Sequence, residues 1–389
     1  MNRRDLLKWT LAGSALAVIR LSFANSETDK RLVVILLRGG LDGLHAMPPY
    51  ADRNYRRMRP NLAVAAPGEG TGTLDLDGYF GLHSGLASLY PLYSAEELLL
   101  IPAAATRYRA RSHFDGQNML ENGTRAPYGA TDGWMNRAIA GLTGDEARQA
   151  LSIGPAIPLI MQGANRVQTW SSTALPGVDE DFLKRLTHVY DSDPQFAAAL
   201  ASAQNSPQPR VTTANRRNPF KGPDFEVATR AAADLLARPA GPRMALLEMQ
   251  GWDTHFDQER RLRNSFQDLA AGIVALKAGL TGVWDQTAVV IVSEFGRTAA
   301  QNASRGTDHG TGGIAMLAGG AVRGGRVHGD WPGLSQRSLY EGRDVQAVNE
   351  YEAIFKTLLI GHLGQDQGFV EDVVFPESRR IKPMEGLMV

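Results

Sequence analysis

The chain has 389 residues and balances 41 acidic against 41 basic side chains, so no net field draws it to nucleic acid or to an anionic membrane. It contains no cysteine, which excludes disulfides and thiolate metal sites and leaves the chain at ease in an oxidising compartment. The length suffices for one large domain or two modest ones.

The opening segment, "NRRDLLKWTLAGSALAVIRLSFANS", pairs Arg3 with Arg4, runs through Leu6, Leu7 and Lys8 into a mostly apolar stretch, and closes on Ser22-Phe23-Ala24. It resembles a twin-arginine export signal. Arg20 cuts the apolar run to about 11 residues, short of the roughly 20 that a membrane-crossing helix needs. Residues 1–24 are therefore expected to be a signal peptide, with the mature chain beginning near Asn25. The expected location is periplasmic or secreted, with the twin-arginine translocase as partner during export. Its substrates cross already folded, which suits a protein that acquires a metal in the cytoplasm. No later segment is long and apolar enough to span a bilayer.

Runs rich in Val, Ile and Leu at Leu32–Leu37, Leu98–Ile101, Met244–Met249, Ala288–Val292 and Ile314–Leu317 read as strands. They are nearly continuous rather than alternating, which predicts a sheet covered on both faces and hence mostly parallel. Phe225–Ala237, Gln258–Lys277 and Glu350–Leu363 read as helices between and after them. The alternation predicts an α/β layered fold. Residues 66–78 read as a loop and hairpin. The polar, proline-punctuated stretch 204–223, with irregular residues from about 154, reads as a surface insertion within one domain.

In open α/β sheets, ligands sit beyond the carboxyl ends of the strands. Three predicted strands run there into polar motifs: "RGGLDGLH" with Asp42, "QGWDTHF" with Asp253 and His255, and "SEFGRT" with Glu294 and Arg297. Parallel neighbours would gather these acids at one edge, where they repel unless a cation joins them. The pattern thus predicts a metal. If the strand continued through Asp253 and His255, positions i and i+2 would share a face; an ordinary hydrogen-bonded pair is the alternative. "RGTDHGTGG" adds His309, with Asp308 expected to orient it or a neighbour; a solvated turn is the competing reading. "RSHFDGQNMLENG" puts Ser112 at a helix N-terminus, a good position for a nucleophile attacking an anion. Ser112-x-x-Asp115 equally fits a capping box. His83 and His328 are expected to be structural.

With these motifs in view, the chain resembles a bacterial family of exported proteins known as a domain of unknown function, number fifteen-oh-one. The resemblance runs from about Arg31 to the C-terminal helix, through "LRGGLDGLHAMPPY", "FGLHSGL", "SHFDGQ", "GWDTHF", "SEFGRT", "GTDHGTGG" and "GGRVHGDWPGL" in that order. That family is similar in turn to the alkaline phosphatase and sulfatase superfamily. The similarity implies one three-layer domain over 31–389, with a mostly parallel central sheet and the insertion at about 154–223. It also implies that Asp42, Asp253, His255, Glu294 and His309 are metal ligands and that Ser112 is the nucleophile.

The chain departs from the superfamily pattern after Glu294, where Phe295 replaces a coordinating His or Asn. This favours a single ion, and mixed oxygen and nitrogen ligands suit Zn, Mn or Fe better than Ca. The expected activity is metal-dependent hydrolysis of a phosphate or sulfate ester, with Arg297 neutralising charge on the transferring group or simply pairing with Glu294. The alternative is a non-catalytic exported protein that binds a protein partner on the same scaffold.

Overall fold

The apolar runs build one central sheet. In the computed structural model the described residues are 29–142, 150–171, 185–187, 189–190, 193, 197, 200–201 and 225–389. Residues 1–24, expected to be a signal peptide, and the stretch 204–223 lie outside them. The sheet's strands are β1 (Arg31–Arg38), β2 (Leu98–Ala105), β3 (Ala150–Ile153), β4 (Gln168–Trp170), β5 (Met244–Gln250), β6 (Thr287–Ser293), β7 (Gly313–Ala318), β8 (Arg326–Val327) and β9 (Asn349–Glu350). Their order is β8-β2-β7-β6-β1-β5-β3-β4, with β9 also pairing with β2. Only β7 runs antiparallel to its neighbours, β2 and β6; the other pairings are parallel.

The even continuity of β1 has a direct cause. Val33, Ile35 and Leu37 face one core, and Leu32, Val34 and Leu36 face the other, all at most 1% exposed. At about 2 kcal/mol for each side chain removed from water, neither face tolerates a polar position. The first core is roofed by α3 (Phe225–Leu236) and α4 (Gln258–Gly279). On α4, Leu262, Phe266, Leu269, Ile273 and Leu276 recur at the helical period and form its buried stripe. The second core is closed by α2 (Trp134–Ile139) and α5 (Tyr351–Lys356). The result is the expected three-layer α/β sandwich with a mostly parallel sheet.

Details differ from expectation. β4 lies within the stretch read as irregular, and pairs with β3 at the sheet edge. The C-terminal helix passes after Lys356 into wider π-type turns over Thr357–His362. β5 stops at Gln250, and Gly251 at φ +100° turns the chain away. Asp253 and His255 therefore sit on a loop, not on a continuing strand. Because β1, β2, β5 and β6 point the same way, the loops that follow them leave at one edge. The loop before β7 arrives there too.

Candidate metal centre

At that edge three imidazoles meet, one from each of three distant segments. His113 is the first residue of α1 (His113–Asn122), after β2; His255 follows β5; His309 precedes β7. The loops reach each other because two glycines leave no side chain between them. A Cβ on Gly39 would lie 2.4 Å from the Asp253 backbone nitrogen, and one on Gly306 would lie 2.2 Å from the His255 carbonyl carbon.

The Nε2 atoms of His113 and His309 are 2.9 Å apart, and those of His255 and His309 are 3.0 Å apart. Their partners on the other ring nitrogen decide what this means. His113 Nδ1 is 2.7 Å from Glu294 Oε1, His255 Nδ1 is 3.2 Å from Asp308 Oδ1, and His309 Nδ1 is 3.0 Å from the Arg111 carbonyl. Each of these oxygens can only accept, so in the neutral rings each proton sits on Nδ1 and each Nε2 turns a lone pair inward. Converging lone pairs repel unless something positive lies among them. This is the outer-shell arrangement that orients histidines on a metal.

Asp253 completes the set. Its Oδ1 is 3.0 Å from His255 Nε2 and 3.4 Å from His309 Nε2, and its Oδ2 is 3.6 Å from His113 Nε2. Tetrahedral ligands at about 2.1 Å from a zinc ion stand roughly 3.4 Å from one another, close to the separations among His113, His309 and Asp253, while His255 comes as near only to His309 and Asp253. One ligand atom each from His113, Asp253 and His309 already lies within 4.8 Å of the others. Burial pushes Asp253 up, but the Arg297 guanidinium and the nearby His255 and His113 hold it below the usual carboxylate range. Burial, then the charge of His113, lowers His309, which favours the neutral ring a metal needs.

Glu294 ends its strand for a related reason. Its Oε1 accepts from His113 Nδ1, from the Gly39 N–H at 2.9 Å and from Gln117 Nε2 at 3.0 Å; its Oε2 accepts from Ser293 Oγ at 2.9 Å. With three donors on Oε1 and the residue 1% exposed, it orients His113 and is not itself placed as a ligand. Phe295 packs beneath, with ring centroids 4.9 Å from His113 and 5.3 Å from His309. The position expected to coordinate serves as an apolar floor.

Two more expected roles are corrected. Asp42 is committed elsewhere: Arg59 donates to both its oxygens at 2.7 and 3.1 Å, and Gln258 donates at 2.6 Å. It locks loops together below the centre. Arg297 is buried, and its guanidinium donates to the carbonyls of Gly40 (2.7 Å), Gly39 (2.6 Å) and Thr307 (3.1 Å) as well as to Asp253. It pairs with Asp253, not with Glu294, and is 1% exposed, held among backbone carbonyls. Ser112 stands at the N-cap of α1, yet its hydroxyl makes no capping bond, and Asp115 accepts instead from the Tyr108 and Tyr128 hydroxyls, each at 3.1 Å. The capping box is absent, and Ser112 directly precedes a centre residue. His113 itself was not singled out by the sequence reading. Its signal was the "SH" step, read there for its serine alone.

A second grouping, His45, His83 and Glu259, also brings ligand atoms within 4.8 Å of one another. It fails the test that the first group passes. His83 Nδ1 accepts the Gly85 N–H at 2.9 Å, so the ring proton sits on Nε2 and no lone pair remains there for an ion. The stacked His45 and His83 rings, 4.9 Å apart against Phe266, fit a core role. His328 Nε2 meets the Glu385 carbonyl at 3.0 Å, away from the centre.

No curated protein matches the sequence. Among solved structures, the chain is similar to Ps i-CgsB in complex with k-i-k-neocarrahexaose, at 12% identity and TM-score 0.42, covering 91% of this chain and 77% of that one. It is similar to the lipoteichoic acid synthase LtaP from Listeria monocytogenes at 12% identity and TM-score 0.42, covering 90% and 77%. It is also similar to alkaline phosphatase from the Antarctic bacterium TAB5 at 14% identity and TM-score 0.34, covering 76% and 92%. Likenesses of this size carry no argument about activity. Residues 103–371, well over half of the chain, match the family described as Protein of unknown function (DUF1501), and the chain belongs to that family.

Proposed function

We propose that this chain is an exported, divalent-metal-dependent hydrolase of phosphate or sulfate esters. The observation that carries the reading is the set of three histidines whose Nδ1 atoms are all anchored and whose Nε2 atoms converge beside Asp253. A cation held by these four residues would supply positive charge to the anionic oxygens of an ester. The donor set, three imidazoles and a carboxylate, suits Zn, Mn or Fe better than Ca. Side chains of the set remain partly open to solvent, so a ligand can approach.

Ser112 lies where a nucleophile would be of use. Its Oγ is uncommitted to capping, and the free N–H groups of the first turn of α1 favour an approaching anion. In the reaction, Oγ releases its proton to solvent and forms the bond to phosphorus or sulfur. The ester oxygen leaves and takes a proton from water, and water then hydrolyses the seryl ester. Arg3 and Arg4 support the export part of the reading.

The test is a paired measurement on the folded, exported protein. His113→Ala with His309→Ala is expected to remove about one divalent ion per chain by elemental analysis. Ser112→Ala is expected to keep the metal and abolish turnover of p-nitrophenyl phosphate or sulfate. Turnover that survives Ser112→Ala would take the serine out of the mechanism. A metal-free protein with a stable periplasmic protein partner would establish the binding-protein reading instead. Arg3→Lys with Arg4→Lys is expected to leave the protein in the cytoplasmic fraction.

A further inference from the structure

Arg111 stands between β2 and α1 with φ +63°, a left-handed conformation that a residue with a side chain rarely adopts. Its carbonyl is the oxygen that accepts from His309 Nδ1 at 3.0 Å. Two residues further on, His113 Nε2 lies 2.9 Å from His309 Nε2. This strained residue thus anchors one histidine of the centre and leads into the helix that carries another. Strain of this kind persists only where surrounding contacts impose it.

Those contacts are on the Arg111 side chain. Nε donates to Asp344 Oδ2 at 2.7 Å, and Nη2 donates to Glu341 Oε2 at 2.6 Å. Both acids belong to one short hairpin, in which Leu339–Tyr340 pairs with Asp344–Val345. The guanidinium carbon also lies 5.8 Å from the centroid of the Tyr340 ring. Asp344 is fully buried, and its other oxygen, Oδ1, accepts from Arg343 Nη1 at 2.9 Å. The same Nη1 donates to the His309 carbonyl at 2.9 Å. The hairpin therefore holds the backbone of His309 through Arg343, and the residue that anchors its ring through Asp344 and Glu341.

We infer that Arg111 is a positioning residue: its ion pairs with Asp344 and Glu341 keep its own backbone left-handed, and so present its carbonyl to His309 Nδ1. This rests on the metal reading of the centre for its effect on an ion, though not for its effect on the ring. With the carbonyl in place, the ring proton stays on Nδ1 and Nε2 keeps its lone pair toward the centre. Without it, the ring can turn, or move its proton to Nε2 and lose that lone pair. Arg111 acts through His309 and takes no part in the chemical step.

Alanine and glycine at position 111 separate this role from a general loss of ion pairs. Both remove the guanidinium, but glycine adopts a left-handed φ at no steric cost and alanine does not. Arg111→Ala is expected to weaken Zn2+ binding about tenfold in calorimetric titration of the metal-free protein, and Arg111→Gly to stay within about threefold of the native chain. A glycine variant that binds no better than the alanine variant would overturn the assignment. If the native chain takes up no Zn2+, the metal reading has failed, and the clamp is read instead from the ring nitrogen chemical shifts of the metal-free protein. The His309 signals are identified there by their absence in His309→Gln. An Nδ1-protonated ring kept in Arg111→Gly and lost in Arg111→Ala supports the clamp; the same ring form in both variants overturns it.

Discussion

Glu294 shows how a residue placed like a ligand comes to serve as a support. A carboxylate that binds an ion must turn an oxygen toward it, and here Oε1, the oxygen facing His113, already accepts from His113, Gly39 and Gln117 in a buried site. Burial alone would push the acid up, but the hydrogen bonds from His113 and Gln117 keep it below its ordinary range. Ionised, it fixes the His113 proton on Nδ1. Glu294→Gln keeps the shape but can turn an N–H toward that nitrogen, which favours the wrong tautomer. The expected outcome is a 10- to 100-fold loss of metal affinity with the fold retained, measured by calorimetric titration of the metal-free protein with Zn2+. Asp308→Asn, acting on His255 through a longer 3.2 Å contact, should lose less.

At the scale of elements, the centre depends on loops that approach more closely than side chains allow. Gly39 has φ +123° and would drive a Cβ into the Asp253 backbone, whereas Gly78, at φ +82°, has open space around it. Gly39→Ala is expected to cost about 3 kcal/mol in urea unfolding and to weaken metal binding, because Asp253 must move. Gly78→Ala should cost only about 1 kcal/mol, the price of the backbone conformation alone, and leave the centre untouched. The strands were readable in advance because burial on both faces writes itself as Val, Ile and Leu runs. Their order was not, since it depends on which edges meet across hundreds of residues. The acid and histidine motifs were readable for the same reason that they converge: each directly follows or precedes a strand. What spacing could not show was partnership. Arg59 is 17 positions from Asp42, and Arg297 is 44 from Asp253, so nothing local revealed that both pairs were already committed. His113 was hidden for the opposite reason, because a neighbouring serine offered a stronger local pattern.

For the molecule as a whole, two buried groups set opposing pH dependences within one window. His362 is buried, with Nε2 2.9 Å from the Arg31 carbonyl, and burial lowers it from 6.5 to about 4. Below pH 6.5 the unfolded chain binds this proton more readily than the folded one, so its contribution is complete above 6.5 and is lost as pH falls toward 4. Glu352 is the mirror case. Burial, then the charge of Glu350, raises it from 4.5 to about 7, and its Oε2 is buried without a hydrogen-bond partner. Here the folded chain holds the proton more tightly, so stability is greatest below 4.5 and falls as pH rises toward 7. Each slope approaches about 1.4 kcal/mol per pH unit, and between about 4.5 and 6.5 the two largely cancel. The variants should therefore tilt the stability profile in opposite directions. Relative to the native chain, Glu352→Gln is expected to gain about 2 kcal/mol at pH 8 and little at pH 4.5, while His362→Gln gains at pH 4.5 and little at pH 8. Urea unfolding across pH 4.5–8 reads both differences directly, and parallel profiles for the two variants would show that neither group is held in the charge state its burial demands.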